Sequence, residues 1–169
     1  MNLAASETMI VRSEEPTDID IIHRVVAAAF NRPDEANLVD QLRAHGDCVI
    51  SLVALVENEL VGHALFSRMS APFRALGLAP VSVMPECQRT GIGTRLIRAG
   101  LDRARQDAWQ AVFVLGNPEY YRRFGFDAVL ASGFTSPYAG PHLMALALGA
   151  GLPTNAGVVE YAPPFRSLG

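Results

Sequence analysis

The strongest constraint on the fold lies in residues 81–115. A short apolar strand through Val81 and Val83 runs into a turn, and Gln88-Arg89-Thr90-Gly91-Ile92-Gly93 then opens a helix over residues 91–107. Ala111-Val112-Phe113-Val114-Leu115 follows as an unbroken apolar run of strand length. Strand, helix and fully apolar strand make a βαβ unit, whose strands are parallel neighbours joined by a right-handed crossover. The fold class is therefore α/β. Along the helix Ile92, Leu96, Ile97, Leu101, Ala104 and Ala108 recur at helical spacing. Arg95, Arg98, Arg103 and Arg105 lie mostly off that stripe and read as a solvated face; Arg95, in the first turn, is the exception.

The glycine turn has a physical consequence of its own. Gly91 and Gly93 carry no Cβ, so a ligand can approach the backbone, and the helix that starts there offers oriented N–H donors and a positive dipole end. Arg89 adds a mobile positive charge. Such a place suits a phosphate. A dinucleotide fingerprint would need a third glycine at position 96, where Leu96 stands. All 14 basic residues are arginine, so a Schiff base and a lysine-bearing phosphate loop are both excluded.

The remaining elements can be read around this unit. Residues 9–12 form a first strand; a helix with Thr17 as N-cap carries Ile19, Ile21, Ile22, Val25, Val26 and Ala29; a second helix fits residues 34–45 and stops at Gly46. Residues 49–56 and 60–67 read as a hairpin, with His63 a half-exposed strand histidine. The strand over residues 76–83 is interrupted by Gly77 and Pro80, which mark a bulge or a missing ladder bond. Residues 143–148 and 158–161 read as closing strands around a Gly/Pro-rich loop.

With 169 residues, half of them hydrophobic, the chain suffices for one folded domain. Its net charge of −3 gives no footprint for nucleic acid or an acidic membrane. Cys48 and Cys87 have neither metal-ligand nor disulfide spacing, no run is long enough to span a membrane, and the first ten residues lack signal-peptide features. The expectation is a soluble, cytoplasmic protein with no metal.

A second motif lies beyond the βαβ unit. In Gly116-Asn117-Pro118-Glu119-Tyr120-Tyr121-Arg122-Arg123-Phe124-Gly125-Phe126, Pro118 starts a short helix that Gly125 stops. Adjacent helical residues point about 100° apart, so one tyrosine should face inward and the other outward. Alone, this segment reads as an aromatic wedge.

Together the two motifs resemble the GCN5-related N-acetyltransferase family. Gln88-Arg89-Thr90-Gly91-Ile92-Gly93 is similar to its Gln/Arg-x-x-Gly-x-Gly/Ala acetyl-coenzyme A signature, and Tyr121-Arg122-Arg123-Phe124-Gly125-Phe126 to its Tyr-x-x-x-Gly-Phe element. The longer run from Val114 to Phe126 resembles the YhbS-like branch. The resemblance implies a mixed, mostly antiparallel sheet with two splayed parallel strands flanked by helices. The pantetheine arm of acetyl-CoA would lie between those strands on the backbone of Val81 and Val83, and its pyrophosphate on the amides of Arg89, Thr90, Gly91, Ile92, Gly93 and Thr94. Asn117 is open to two readings, a contact to the arm or a turn-forming Asx role.

The resemblance further implies that a primary amine, on a small molecule or a peptide, attacks the thioester directly, while Tyr121 protonates the leaving thiolate. The strand over residues 76–83 holds no Asp or Glu, so the base is elsewhere, with Glu35 a candidate, or is a water chain to bulk solvent. Cys87 has no triad around it. The alternative is a non-catalytic acyl-coenzyme A binding or regulatory domain. A homodimer is compatible with the sequence.

Overall fold

The computed structural model describes residues 9–168. The reading of the first eight residues therefore lies outside it. In chain order the elements are β1 (Met9–Ser13), α1 (Ile19–Phe30), α2 (Asp34–Ala44), β2 (Cys48–Val56), β3 (Glu59–Arg68), β4 (Ala75–Val83) and α3 (Ile92–Gln106). Then follow β5 (Ala111–Leu115), α4 (Pro118–Tyr121), α5 (Ala128–Ala131), β6 (Phe134–Thr135), β7 (Leu143–Ala147) and β8 (Gly157–Val158).

One mixed sheet has the order β1-β2-β3-β4-β5-β7. Every neighbouring pair in it is antiparallel except β4 and β5. The alternation of β2 and β3 divides their side chains between two cores. On one face Val53, Leu65 and Phe113 meet Ile22, Val25 and Val26 of α1 and Leu38, Val39 and Leu42 of α2. On the other, Leu52, Ala54, Phe66, Leu76 and Leu78 meet Ile92, Leu96, Ile97 and Leu101 of α3. Ile92, Leu96, Ile97, Leu101 and Ala104 of the helical stripe read from the sequence are thus the buried face of α3, while Ala108 lies in the turn past the helix end and is exposed.

The parallel pair that the βαβ pattern predicts is short. It comprises Ala75↔Ala111, Leu76↔Val112 and Gly77↔Phe113, after which β4 runs on to Val83 without β5 beside it. On its other edge β4 pairs Val81 with Ala64 and Leu78 with Phe66, so Ala79 and Pro80 together oppose the single Leu65. Proline has no N–H to give the ladder, and the extra residue there forms a bulge, the interruption expected from Gly77 and Pro80. The two strands therefore fork just beyond Gly77, and the fork opens toward the start of α3.

Three expectations are corrected. Thr17 is not the cap of α1: a 3-10 turn over Pro16–Asp18 precedes that helix, and the Asp18 carboxylate accepts from the Glu15 N–H at 2.7 Å and from Arg12 at 2.7 Å. The second closing strand is only Gly157–Val158, and it pairs parallel with β6 in a separate two-stranded sheet. Tyr161 instead packs in the α1/α2 core.

His63 is fully buried, not half-exposed. Its Nε2 is 2.8 Å from Ser51 Oγ and 4.0 Å from the Glu14 carboxylate, which is itself paired to Arg43 at 2.8 Å. Burial, despite the nearby Glu14 charge, lowers its pKa from 6.5 to about 4. Between those two values the unfolded chain binds a proton that the fold refuses. Stability is therefore expected to fall as pH drops from about 6.5 toward 4, by up to ~3 kcal/mol. Urea midpoints measured across that range check this, and the slope should flatten in His63→Gln.

Candidate active site

The fork between β4 and β5 leads into a cleft of about 570 Å³, lined among others by Val81, Val83, Arg89, Gly91, Ile92, Gly93, Thr94 and Tyr121. At its foot the chain turns sharply into α3. Arg89 and Gly91 both adopt left-handed conformations, at φ 64° and 87°. A Cβ on Gly91 would meet nothing within 4 Å, so glycine is favoured there by backbone conformation and not by crowding. The first α3 bond runs from the Arg95 N–H to the Gly91 carbonyl. The N–H groups of Ile92, Gly93 and Thr94 therefore have no partner inside the helix.

Val81 and Val83 form the β4 wall and face the α3 core, and the Gln88 amide donates to the Val83 carbonyl at 3.0 Å. The opposite wall comes from α4. Asn117 caps it, its side-chain oxygen accepting from the Glu119 N–H at 3.0 Å. Of the two readings of Asn117, this is the Asx one, and its side chain is not in the cleft wall. Thr90 also turns away, its hydroxyl donating to the Cys87 carbonyl at 2.6 Å.

The prediction that one tyrosine faces in and the other out is corrected: Tyr120 and Tyr121 both line the cleft. The helix lasts only four residues before tightening into a 3-10 turn at Arg122–Phe124, and the two rings meet edge to face at 5.0 Å. Tyr121 lies against Gly116, where a Cβ would come within 2.6 Å of its ring. Burial, and then the neighbouring Tyr120, push its pKa up to about 12, so its hydroxyl keeps its proton. Tyr120 and Arg123 were missed by the sequence reading. The Tyr120 hydroxyl is 3.5 Å from Thr94 Oγ1, and the Arg123 guanidinium lies 4.5 Å over the Tyr120 ring, adding positive charge beside the α3 start. A run of aromatic and basic residues following the Pro118 helix start was the available signal.

Glu35 is buried and held by Arg32 at 2.6 Å, away from the cleft lining. Cys87 reaches the cleft but is 1 % exposed, and burial raises its thiol pKa, which disfavours the nucleophilic thiolate.

A forked parallel pair, a glycine turn with unpaired amides and a tyrosine opposite them define an acyl-transfer fold. The profile of the acetyltransferase (GNAT) family matches residues 17–126, and the chain belongs to that family. It is similar to the uncharacterized N-acetyltransferase YjhQ of Escherichia coli K12, with 38% identity over 136 residues, 75% of each chain. With YhbS of the same organism it shares 33% identity over 123 residues, 70% of this chain and 74% of that one. Among solved structures, E. coli YhbS in complex with CoA superposes with a TM-score of 0.87 at 27% identity, covering 96% of this chain and 94% of that one. A GNAT acetyltransferase from Brucella melitensis in complex with acetyl-CoA gives 0.80 at 36% identity, covering 93% and 97%.

Proposed function

We propose that the protein transfers an acetyl group from acetyl-CoA to a primary amine by direct attack in a ternary complex, as a single cytoplasmic domain. The observation that carries this reading is the fork: β4 loses β5 beyond Gly77 and ends at an α3 start with unpaired amides. An extended pantetheine arm fits that gap as an added strand, bonded to the backbone of Val81 and Val83. The pyrophosphate then rests on the amides of the turn and of Ile92, Gly93 and Thr94, with Arg89 and Arg123 beside it. The resulting path brings the thioester to the bulge at Ala79 and Pro80. There a backbone N–H can stabilise the oxyanion, and the Tyr121 hydroxyl is the donor for the leaving sulfur.

The absence of any carboxylate in β4 favours one other reading, an acyl-CoA-binding domain without turnover. The two separate on thiol release. Wild-type protein with acetyl-CoA and a panel of polyamines, aryl amines, aminoglycosides and N-terminal peptides is expected to liberate CoA with at least one of them. A thermal shift with acetyl-CoA but not with NAD is expected in either case. A shift without thiol release would favour the binding domain; no shift at all would remove the ligand assignment.

A further inference from the structure

Two hydroxyls face each other inside the cleft without satisfying one another. The Tyr120 phenol oxygen, on α4, is 3.5 Å from Thr94 Oγ1 in the first turn of α3. A sound O–H···O bond spans about 2.5–3.0 Å, so the pair is too far apart to close on itself. Neither hydroxyl has another hydrogen-bond partner among the described residues. Both residues line the cleft, beside the Ile92, Gly93 and Thr94 amides that the helix leaves open. A Cβ on Gly93 would stand 3.4 Å from the phenol oxygen, which puts that oxygen directly over the α3 start.

The phenol is also held in place. Its ring meets those of Tyr121 at 5.0 Å and Phe124 at 5.5 Å, both edge to face. The Arg123 guanidinium lies 4.5 Å from the ring centroid, and Arg123 Nε donates to the Tyr120 carbonyl at 2.9 Å. A donor fixed before its ligand arrives loses little freedom on binding. The charges around it favour an anion, since the cleft lining includes Arg89 and Arg123 and no carboxylate. An acceptor oxygen about 2.7 Å from each hydroxyl closes a triangle on the 3.5 Å base. That oxygen takes two hydrogen bonds at once, one of them from α4, the wall opposite the open amides.

We propose that the Tyr120 and Thr94 hydroxyls form a clip on a phosphoryl oxygen of the coenzyme's diphosphate, and that Tyr120 thereby selects diphosphate-bearing thioesters as acyl donors. The clip rests on the coenzyme cleft proposed above, but not on turnover. The open α3 amides hold the diphosphate from one wall and Tyr120 holds it from the other, while Arg123, fixed on the ring, adds positive charge. A thioester on bare pantetheine brings no phosphoryl oxygen to either wall, so it binds weakly however well its arm fits the fork. The two tyrosines of α4 then have separate roles: Tyr121 serves the leaving sulfur and Tyr120 the phosphates.

Calorimetric titrations of CoA, dephospho-CoA and pantetheine test the clip. Dephospho-CoA keeps the diphosphate and lacks the 3′-phosphate, whereas pantetheine lacks both. Tyr120→Phe is expected to weaken CoA and dephospho-CoA alike, by about tenfold or more, because each loses a hydrogen bond to a charged oxygen. Pantetheine, titrated at millimolar concentration, should bind wild type and variant equally. Thr94→Val should show the same pattern, and Thr94→Ser, which keeps the hydroxyl, should bind CoA as the wild type does. Melts of the free proteins report folding, and the two Thr94 variants carry the test if Tyr120→Phe does not fold. Unchanged CoA affinity in the folded Tyr120→Phe and Thr94→Val proteins would overturn the clip. So would an equal loss for pantetheine, which would reduce Tyr120 to part of the cleft wall. A loss for CoA but not for dephospho-CoA would move the contact to the 3′-phosphate and overturn it as well. Failure of the wild type to bind CoA would instead remove the coenzyme cleft itself, and the clip with it.

Discussion

Tyr121→Phe is expected to lower kcat about ten- to hundredfold and to leave the acetyl-CoA Kd within about twofold. The ring provides packing and the hydroxyl provides chemistry. Edge-to-face contacts with Tyr120 at 5.0 Å and Phe126 at 5.9 Å, together with the seat over Gly116, survive the loss of one oxygen. What is lost is a hydrogen-bond donor at the leaving sulfur. With the phenol raised to about 12 and a free thiol near about 8.5, complete proton transfer to the thiolate is uphill. Tyr121 therefore stabilises the developing thiolate chiefly by donating a hydrogen bond as the C–S bond breaks. That is a transition-state interaction, so kcat falls and binding does not. An unchanged kcat would reduce Tyr121 to a packing residue.

Where periodicity and backbone chemistry were local, the sequence was a sufficient guide. The stripe from Ile92 to Ala104, the apolar run Ala111–Leu115 and the Gly-x-Gly turn each fix their structure through nearest neighbours, and each lies where expected. The parallel pairing of β4 with β5 was legible too, but not that it would last only three residues. The fork depends on the Ala79–Pro80 bulge against β3 and on β7 taking the far edge of β5, both long-range matters of register.

His63 shows a different limit. Alternation placed it on β3, but its full burial comes from α1 and α2 closing over that face. Its partners Glu14, Arg43 and Ser51 are gathered from three other segments by the tertiary fold. Tyr120 escaped because a four-residue helix that tightens at once does not keep the 100° spacing that would turn it outward.

The largest binding effect is expected at Gly93, the second residue of α3. A Cβ there would stand 3.4 Å from the Tyr120 hydroxyl and 3.9 Å from the nearest methyls of Val81 and Val83, distances that the fold tolerates. Beyond the Cβ lies the cleft, so the methyls of a valine would occupy the seat proposed for the pyrophosphate and screen the Gly93 and Thr94 amides. Several charge-assisted bonds would be lost together, and acetyl-CoA should bind about a hundredfold more weakly, ~2.7 kcal/mol. The helix itself should hold, since valine has a higher helix propensity than glycine.

Calorimetric titration of acetyl-CoA into wild-type and Gly93→Val protein, with thermal melts of both, therefore tests the coenzyme cleft most directly. Matching melts without ligand, saturable binding to the wild type, and binding to the variant weakened about a hundredfold are the expected results. Equal affinity for the two proteins would place the coenzyme elsewhere and contradict the account.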